Sequence, residues 1–144
     1  MAVSLALLFF GCTHAFAPDL QPQPSSLYRD DLRVWANGSV TFTFGEIGKF
    51  TIHRDRVPEL KELILKADKW AEIAKKEKPC EFEKDLGSIG TVSFRFCDRG
   101  LGGLCDIRVN GVNWPYSVFH SLLPRLDRIP EMEADLKRLD AAFK

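Results

Sequence analysis

The sequence has no excess of charge of either sign, since its 20 lysines and arginines are matched by 20 aspartates and glutamates. This balance argues against a protein that binds nucleic acid through a strong basic field, although it is compatible with a local basic patch. Long apolar runs are also missing. The run from Val3 to Phe10 is too short to cross a bilayer, so we predict no transmembrane segment in the mature chain.

Cysteine and histidine are scarce, with four and three respectively, and no CxxC motif or Cys/His cluster at ligand spacing occurs. We therefore predict no metal, no cofactor and no catalytic residues. Cys97 and Cys105 could form a disulfide across a hairpin. Strand alternation places Cys105 inward and Cys97 outward, however, so this bridge would need a bulge. Cys80 leaves an odd number of thiols after the leader, which keeps a thiol-dependent enzyme open as an alternative.

Residues 1–17 differ in composition from the rest of the chain and read MAVSLALLFFGCTHAFA, without a charged residue. The apolar run fits the central region of a cleaved signal peptide, and Ala15-Phe16-Ala17 has the small-x-small form of a cleavage site. A mis-assigned start or a buried N-terminal strand is the alternative interpretation. We predict export through the secretory route, to a secreted, periplasmic or plastid location.

The four residues Ala15-Phe16-Ala17-Pro18 resemble the A|FAP junction between signal and transit peptides in nuclear-encoded plastid proteins of algae with secondary red plastids. This resemblance implies a plastid destination and nothing about the mature domain. Residues 16–28 contain Asp19 and no lysine or arginine, whereas a transit peptide is basic, so the sequence departs from the pattern there.

Three regions follow from composition. Residues 1–17 are the leader, residues 18–27 form a linker rich in Pro, Gln and Ser, and residues 28–144 form a single α+β domain. The domain is organised around a predicted amphipathic helix from Val57 to Lys78. Apolar residues recur along it every three or four positions, Pro58 suits its first turn and Pro79 ends it.

Two strands are predicted before this helix, at Leu32 to Ala36 and Val40 to Phe44, joined by a two-residue Asn37-Gly38 turn. That turn opposes Trp35 to Val40, which places Trp35 on the same face as the phenylalanines. A three-residue loop at 46–48 then pairs Phe44 with Phe50.

After the helix, residues 79–90 read as a charged connector, followed by strands at Val92 to Phe96 and Cys105 to Val109 with Phe94 opposite Ile107. Asn110-Gly111 predicts a turn, and residues 115–122 and 130–143 predict two helices. VTFTF at 40–44 and VSFRF at 92–96 suggest a faint duplication. We expect an α+β fold with one antiparallel sheet of about four or five strands, covered on one face by the helices. Phe42, Phe94, Leu60 and Ile64 should then all be buried.

If both hairpins share one sheet, its polar residues point to the same side and form a candidate ligand or partner face. Its members are Thr41, Thr43, Thr51, His53, Ser93, Arg95, Arg108 and Asn110. A plain solvated face is the alternative, because antiparallel sheets commonly leave one face wet. The leading interpretation is a non-catalytic binding or accessory protein with a protein partner or a small ligand. The second is a nucleic-acid-binding module that uses the polar sheet face, which the balanced charge disfavours.

Overall fold

A computed structural model describes residues 23–46, 48–76, 81–99 and 104–143. The strands are β1 (Ser26–Arg29), β2 (Leu32–Trp35), β3 (Ser39–Phe44), β4 (Gly48–His53), β5 (Glu81–Ile89), β6 (Val92–Arg99), β7 (Cys105–Val109) and β8 (Val112–Pro115). The helices are α1 (Val57–Lys76), α2 (Tyr116–His120), α3 (Leu122–Leu126) and α4 (Ile129–Ala142), with a 3-10 turn at Arg54–Arg56. The predicted leader and its plastid-like junction lie outside the described residues.

The strands form two antiparallel sheets of four, β1-β2-β3-β4 and β5-β6-β7-β8, each in chain order. The predicted α+β class with antiparallel strands is therefore confirmed, although the strands divide into two sheets instead of one. This order is the simplest for antiparallel strands, because neighbours need only a hairpin connection.

Aromatic rings join the inner faces of the two sheets. Phe42 stacks on Phe50 at 4.8 Å between ring centroids, and Phe50 meets Trp114 of the second sheet at 5.3 Å. The predicted core is confirmed, since Phe42 and Phe94 are fully buried. Because the inner faces meet each other, the outer faces of the two sheets are separate surfaces.

Helix α1 packs on β5 and β6 of the second sheet and on the short helices α2 and α3. Its buried side chains are Leu60, Leu63, Ile64, Ala67, Ala71 and Ala74, the stripe that the spacing predicts. Ile73, which lies on the same helix, is exposed. The small alanines of the stripe allow the helix to approach the sheet closely.

Helix α4 covers β1 and β2 of the first sheet. Met132 and Leu136 are buried, whereas Leu139, near the end of the helix, and Phe143, which follows its last residue, are exposed. The final turn of α4 thus extends past the sheet that the helix covers.

The register of the first hairpin differs from the prediction. Val34 pairs with Val40, so the loop has three residues, 36–38, and Trp35 turns to the outer face. Gly38 has φ +90°, and a Cβ there would lie 2.6 Å from the ring Nε2 of His53. The positive φ favours glycine at this position, and the imidazole of His53 lies close over it.

The other predicted registers shift by two residues and keep their faces. Phe42, and not Phe44, lies opposite Phe50, while Phe94 pairs with Val109 where Ile107 was expected. A shift by two exchanges partners without exchanging faces, because side chains alternate with a period of two. The inward positions of these aromatic residues therefore stay as predicted.

Residues 79–90 are not a connector throughout, because β5 occupies Glu81–Ile89. This edge strand carries a register irregularity between Asp85 and Gly87 that interrupts the alternation on which sequence reading depends. Strand β1 likewise begins at Ser26, inside the predicted linker.

The two halves share an arrangement, since each has a four-stranded meander followed by helical structure. The two sequence echoes do not occupy equivalent strands, however. VTFTF lies in β3, the third strand of its sheet, and VSFRF lies in β6, the second strand of its own.

Candidate functional site

The predicted ligand face is divided between the two sheets. Thr41, Thr43, Thr51 and His53 lie on the outer side of the first sheet. Ser93, Arg95 and Arg108 lie on the outer side of the second sheet, and Asn110 occupies a turn. The expectation of one continuous surface is therefore wrong, because it depended on both hairpins sharing a sheet.

The outer face of the first sheet carries an aromatic–arginine row that consists of Tyr28, Arg33 and Trp35. Tyr28 and Arg33 are direct partners across β1 and β2, and Trp35 is the next outward residue along β2. The guanidinium carbon of Arg33 lies 5.3 Å from the ring centroid of Tyr28 and 5.4 Å from that of Trp35. Both distances fall within cation–π range, so the cation holds the two rings in one row.

This outer face contains no acidic residue among its described strand positions. Its members, read from the registers, are Ser26, Tyr28, Arg33, Trp35, Ser39, Thr41, Thr43, Lys49, Thr51 and His53. Arg33 and Lys49 supply positive charge, and the remaining positions supply hydroxyls, aromatic rings and an imidazole. Two acids lie at the rim. The Tyr28 hydroxyl donates to Asp31 at 2.9 Å, and this bond raises the pKa of the phenol. A carboxylate oxygen of Asp55 lies 3.2 Å from Nδ1 of His53.

Thr41 and Thr51 form a hydroxyl pair beside the indole of Trp35. The indole Nε1 donates to Thr41 Oγ1 at 3.0 Å, and this oxygen lies 2.8 Å from Thr51 Oγ1. Thr41 is only 3% exposed, so it does not offer the ligand contact that the sequence predicted. An open groove next to Trp35 is lined by Gln23, Pro24, Trp35, Asn37, Ser39 and Thr51.

His53 has a structural task at the end of β4. Its Nδ1 accepts from the backbone N–H of Asp55 at 3.2 Å and so caps the 3-10 turn that follows. The ring also packs against Gly38. His53 is therefore not simply a solvent-exposed side chain, because one side of its ring makes these two contacts.

The outer face of the second sheet is charged but paired internally. Glu83 accepts from Arg95 at 3.0 Å and from Arg108 at 3.2 Å, and Arg99 donates to Asp106 at 2.9 Å. The hydrogen bond from Arg95 is the main reason why the pKa of Glu83 is lowered. The arginines predicted as ligand contacts are thus already bound to carboxylates.

Ser93 and Asn110 bind each other rather than facing a ligand. The side-chain oxygen of Asn110 accepts from the Ser93 backbone N–H at 2.8 Å. Asn110 and Gly111 have φ of +48° and +82°, as a type I′ turn requires. The predicted Asn110-Gly111 turn is confirmed, and Asn110 and Gly111 connect β7 to β8.

Cys97 and Cys105 are free thiols in the structure. They lie on neighbouring strands but face opposite sides of the sheet, with Cys97 opposite Asp106 and Cys105 opposite Asp98. Burial raises the pKa of both thiols, which disfavours the reactive thiolate at neutral pH. Cys80 lies outside the described residues.

One carboxylate links α1 to α2. Asp68 accepts from the hydroxyl of Tyr116, and the same oxygen lies 2.8 Å from Nδ1 of His120. Burial first, and then this hydrogen bond, raise the pKa of Tyr116. The cluster resembles a catalytic arrangement in residue type, but its carboxylate already takes part in two interactions that fasten a short helix.

Within the described residues, no group of three or more His, Cys, Asp or Glu side chains could hold a metal ion, and no helix could span a membrane. Comparison of the chain with protein-family models, curated proteins and solved structures found no match.

Sequence reasoning missed all three residues of the aromatic–arginine row. The signal was present in Leu32-Arg33-Val34-Trp35, where the two aliphatic residues alternate with arginine and tryptophan. Treating Trp35 as a core residue concealed this alternation. Tyr28 was missed because the strand that carries it was assigned in part to the linker.

Proposed function

We propose that this chain is a non-catalytic binding protein, and that the outer face of its first sheet binds an extended single-stranded nucleic acid. The observation that carries the proposal is the aromatic–arginine row on a face whose described strand positions include no acid. Nucleobases stack on aromatic rings and on guanidinium planes, and cations beside them attract the phosphates.

Neutral net charge does not oppose this proposal, because the charges are distributed unevenly between the faces. On the second outer face, Glu83 and Asp106 pair with arginines of that same face. The first outer face keeps Arg33 and Lys49 without a carboxylate among its strand positions. A local basic surface can therefore exist on a chain of zero formal charge.

The size of the face implies modest affinity and a shallow salt dependence. Each stacked base contributes about 1–3 kcal/mol, and two rings limit the number of stacking positions. If Arg33 and Lys49 each neutralise one phosphate, the slope of log affinity against log salt is about −1.4, which is 0.7 for each of two contacts. With only two phosphate contacts, binding would not depend on a large basic field.

The test is fluorescence anisotropy of a labelled single-stranded oligonucleotide with purified protein at several salt concentrations. Trp35→Ala and Arg33→Gln should each weaken binding by about tenfold, since 1.4 kcal/mol corresponds to one decade. Arg95→Gln is the matched control, because Arg95 is also an outward strand arginine but lies on the second sheet. Equal losses in the control, or no binding by the wild-type protein, would reject the nucleic-acid ligand and favour a protein partner or a small ligand.

Export remains a separate proposal, supported by the apolar leader and its Ala15-Phe16-Ala17 site. Mass spectrometry of the protein from its native host should find a mature chain that begins between Ala15 and Pro18. A native chain that still carries Met1 would contradict export by cleavage and would leave the proposed binding face unaffected.

A further inference from the structure

We infer that Thr41 is a positioning residue for the proposed nucleic-acid site: its buried hydroxyl fixes the indole of Trp35 and directs the hydroxyl proton of Thr51 toward the ligand. This inference rests on the proposed function of the same face.

The placement of Thr41 is unusual for a threonine on an outer sheet face. It is 3% exposed although its side chain points away from the core. Among the described residues, Thr41 and Asp98 are the only polar or charged ones that are buried. Strand β3, which carries Thr41, is flanked on both sides by other strands of the sheet. Its backbone is therefore firmly held, and the hydroxyl has a fixed position.

The direction of the hydrogen bonds follows from the donors available. An indole N–H can only donate, so Thr41 Oγ1 is the acceptor for Trp35. Within the described part of the chain, the second hydrogen bond of this hydroxyl is to Thr51 Oγ1. If Thr51 donated, the Thr41 proton would remain buried without an acceptor, which is costly. Thr41 therefore donates to Thr51.

Thr51 then accepts with its oxygen and keeps its own proton for another group. It is exposed on the edge strand β4 and lines the groove beside Trp35. A phosphate oxygen or a base carbonyl stacked near the indole is a suitable acceptor. The chain Trp35–Thr41–Thr51 thus couples the orientation of the stacking ring to the orientation of one hydrogen-bond donor.

The hydroxyl of Thr41 contributes without touching the ligand, because it reduces the ordering that binding requires. A ring already held in place loses less rotational freedom when a base stacks on it. Removing this hydrogen bond should therefore weaken oligonucleotide binding by about two- to tenfold. The salt dependence should not change, since no cation is removed.

The experiment compares Thr41→Val, which removes the hydroxyl at nearly constant volume, with Thr41→Ser, which restores it. Oligonucleotide binding should weaken in Thr41→Val and recover in Thr41→Ser, while the salt slope stays that of the wild type. Iodide quenching of tryptophan fluorescence, measured in a Trp70→Phe background, should rise in Thr41→Val because Trp114 is fully buried and Trp35 becomes mobile. Thr91→Val is the control, because this exposed threonine lies in the turn between β5 and β6 of the second sheet, away from the proposed site.

Each outcome decides the inference. Unchanged binding in Thr41→Val, with wild-type protein that binds, overturns the positioning role but leaves the proposed function standing. Absence of binding by the wild-type protein rejects the proposed function itself. If circular dichroism shows that Thr41→Val fails to fold, Thr51→Val decides, because its loss of the outward donor should weaken binding without raising iodide quenching. Equal binding by Thr51→Val and wild type would then overturn the inference.

Discussion

Phe50 of the first sheet meets Phe94 of the second sheet edge to face, with ring centroids 5.5 Å apart and ring planes at 89°. Both side chains are buried, Phe94 completely. Edge-to-face geometry is favoured by the quadrupole of the rings and adds to the gain from burial. This contact therefore connects two sheets whose described strands are not hydrogen-bonded to each other.

Truncation of the Phe94 side chain should destabilise the folded protein. Phe94→Ala should lower the free energy of unfolding by about 3–5 kcal/mol, because it removes the ring and leaves a cavity between the sheets. Thr43→Ala, on the outer face of the first sheet, should change it by about 0.5 kcal/mol or less. Urea denaturation midpoints measure both. A harmful Thr43→Ala combined with a mild Phe94→Ala would contradict the observed registers.

Removal of the Glu83 carboxylate should create a second basic surface. Glu83→Gln leaves Arg95 and Arg108 without their shared acceptor, so oligonucleotide binding should strengthen at low salt and become more salt-dependent. Glu81→Gln on the same strand is the control, because it is Glu83, and not Glu81, that forms the ion pairs with Arg95 and Arg108. Anisotropy titrations at low and high salt give the comparison. If the two variants bind alike, the pairing does not mask these arginines.

Cys97 and Cys105 should resist alkylation in the native protein near neutral pH. Both are buried and burial raises the pKa of each thiol, so the thiolate that reacts with iodoacetamide is scarce. Peptide mapping after brief labelling should find both unmodified without denaturant and modified with it. Rapid alkylation of Cys97 without denaturant would contradict this prediction and would favour the alternative of a thiol-dependent enzyme.

Tyr116 should make the protein less stable at alkaline pH. Its pKa is raised in the folded state above the ordinary value of 10.0, so folding favours the protonated phenol. Its contribution is complete below about pH 10 and is lost as pH rises from there toward the folded pKa. Tyr116→Phe should remove this part of the decline in stability, as measured by denaturation at several alkaline pH values. A decline that is unchanged in Tyr116→Phe would show that other groups, such as the two thiols, cause it.

The elements with strong periodicity could be predicted from the amino-acid pattern alone. Helix α1 begins at Val57 as predicted and buries the predicted stripe, and α4 lies within one residue of its predicted start. The phenylalanines of β3 and β6 alternate with polar residues, which was sufficient to assign Phe42 and Phe94 to the core. A register error of two residues does not change which side chains are assigned to the core, because it preserves the face of every side chain.

The division of the strands between two sheets and the direction of Trp35 depend on contacts between distant residues, and could not be predicted from the sequence. The hydrophobic pattern gives each strand an inner face but does not say which strands pair, and a turn of three residues rather than two reverses the face of β2. The edge strand β5 was concealed by its charges and by its register irregularity at Asp85, both of which interrupt the alternation that identifies a strand. The outer faces could be distinguished only when the partners of Arg33, Arg95 and Arg108 were known, because charge pairing depends on distances between residues far apart in the chain.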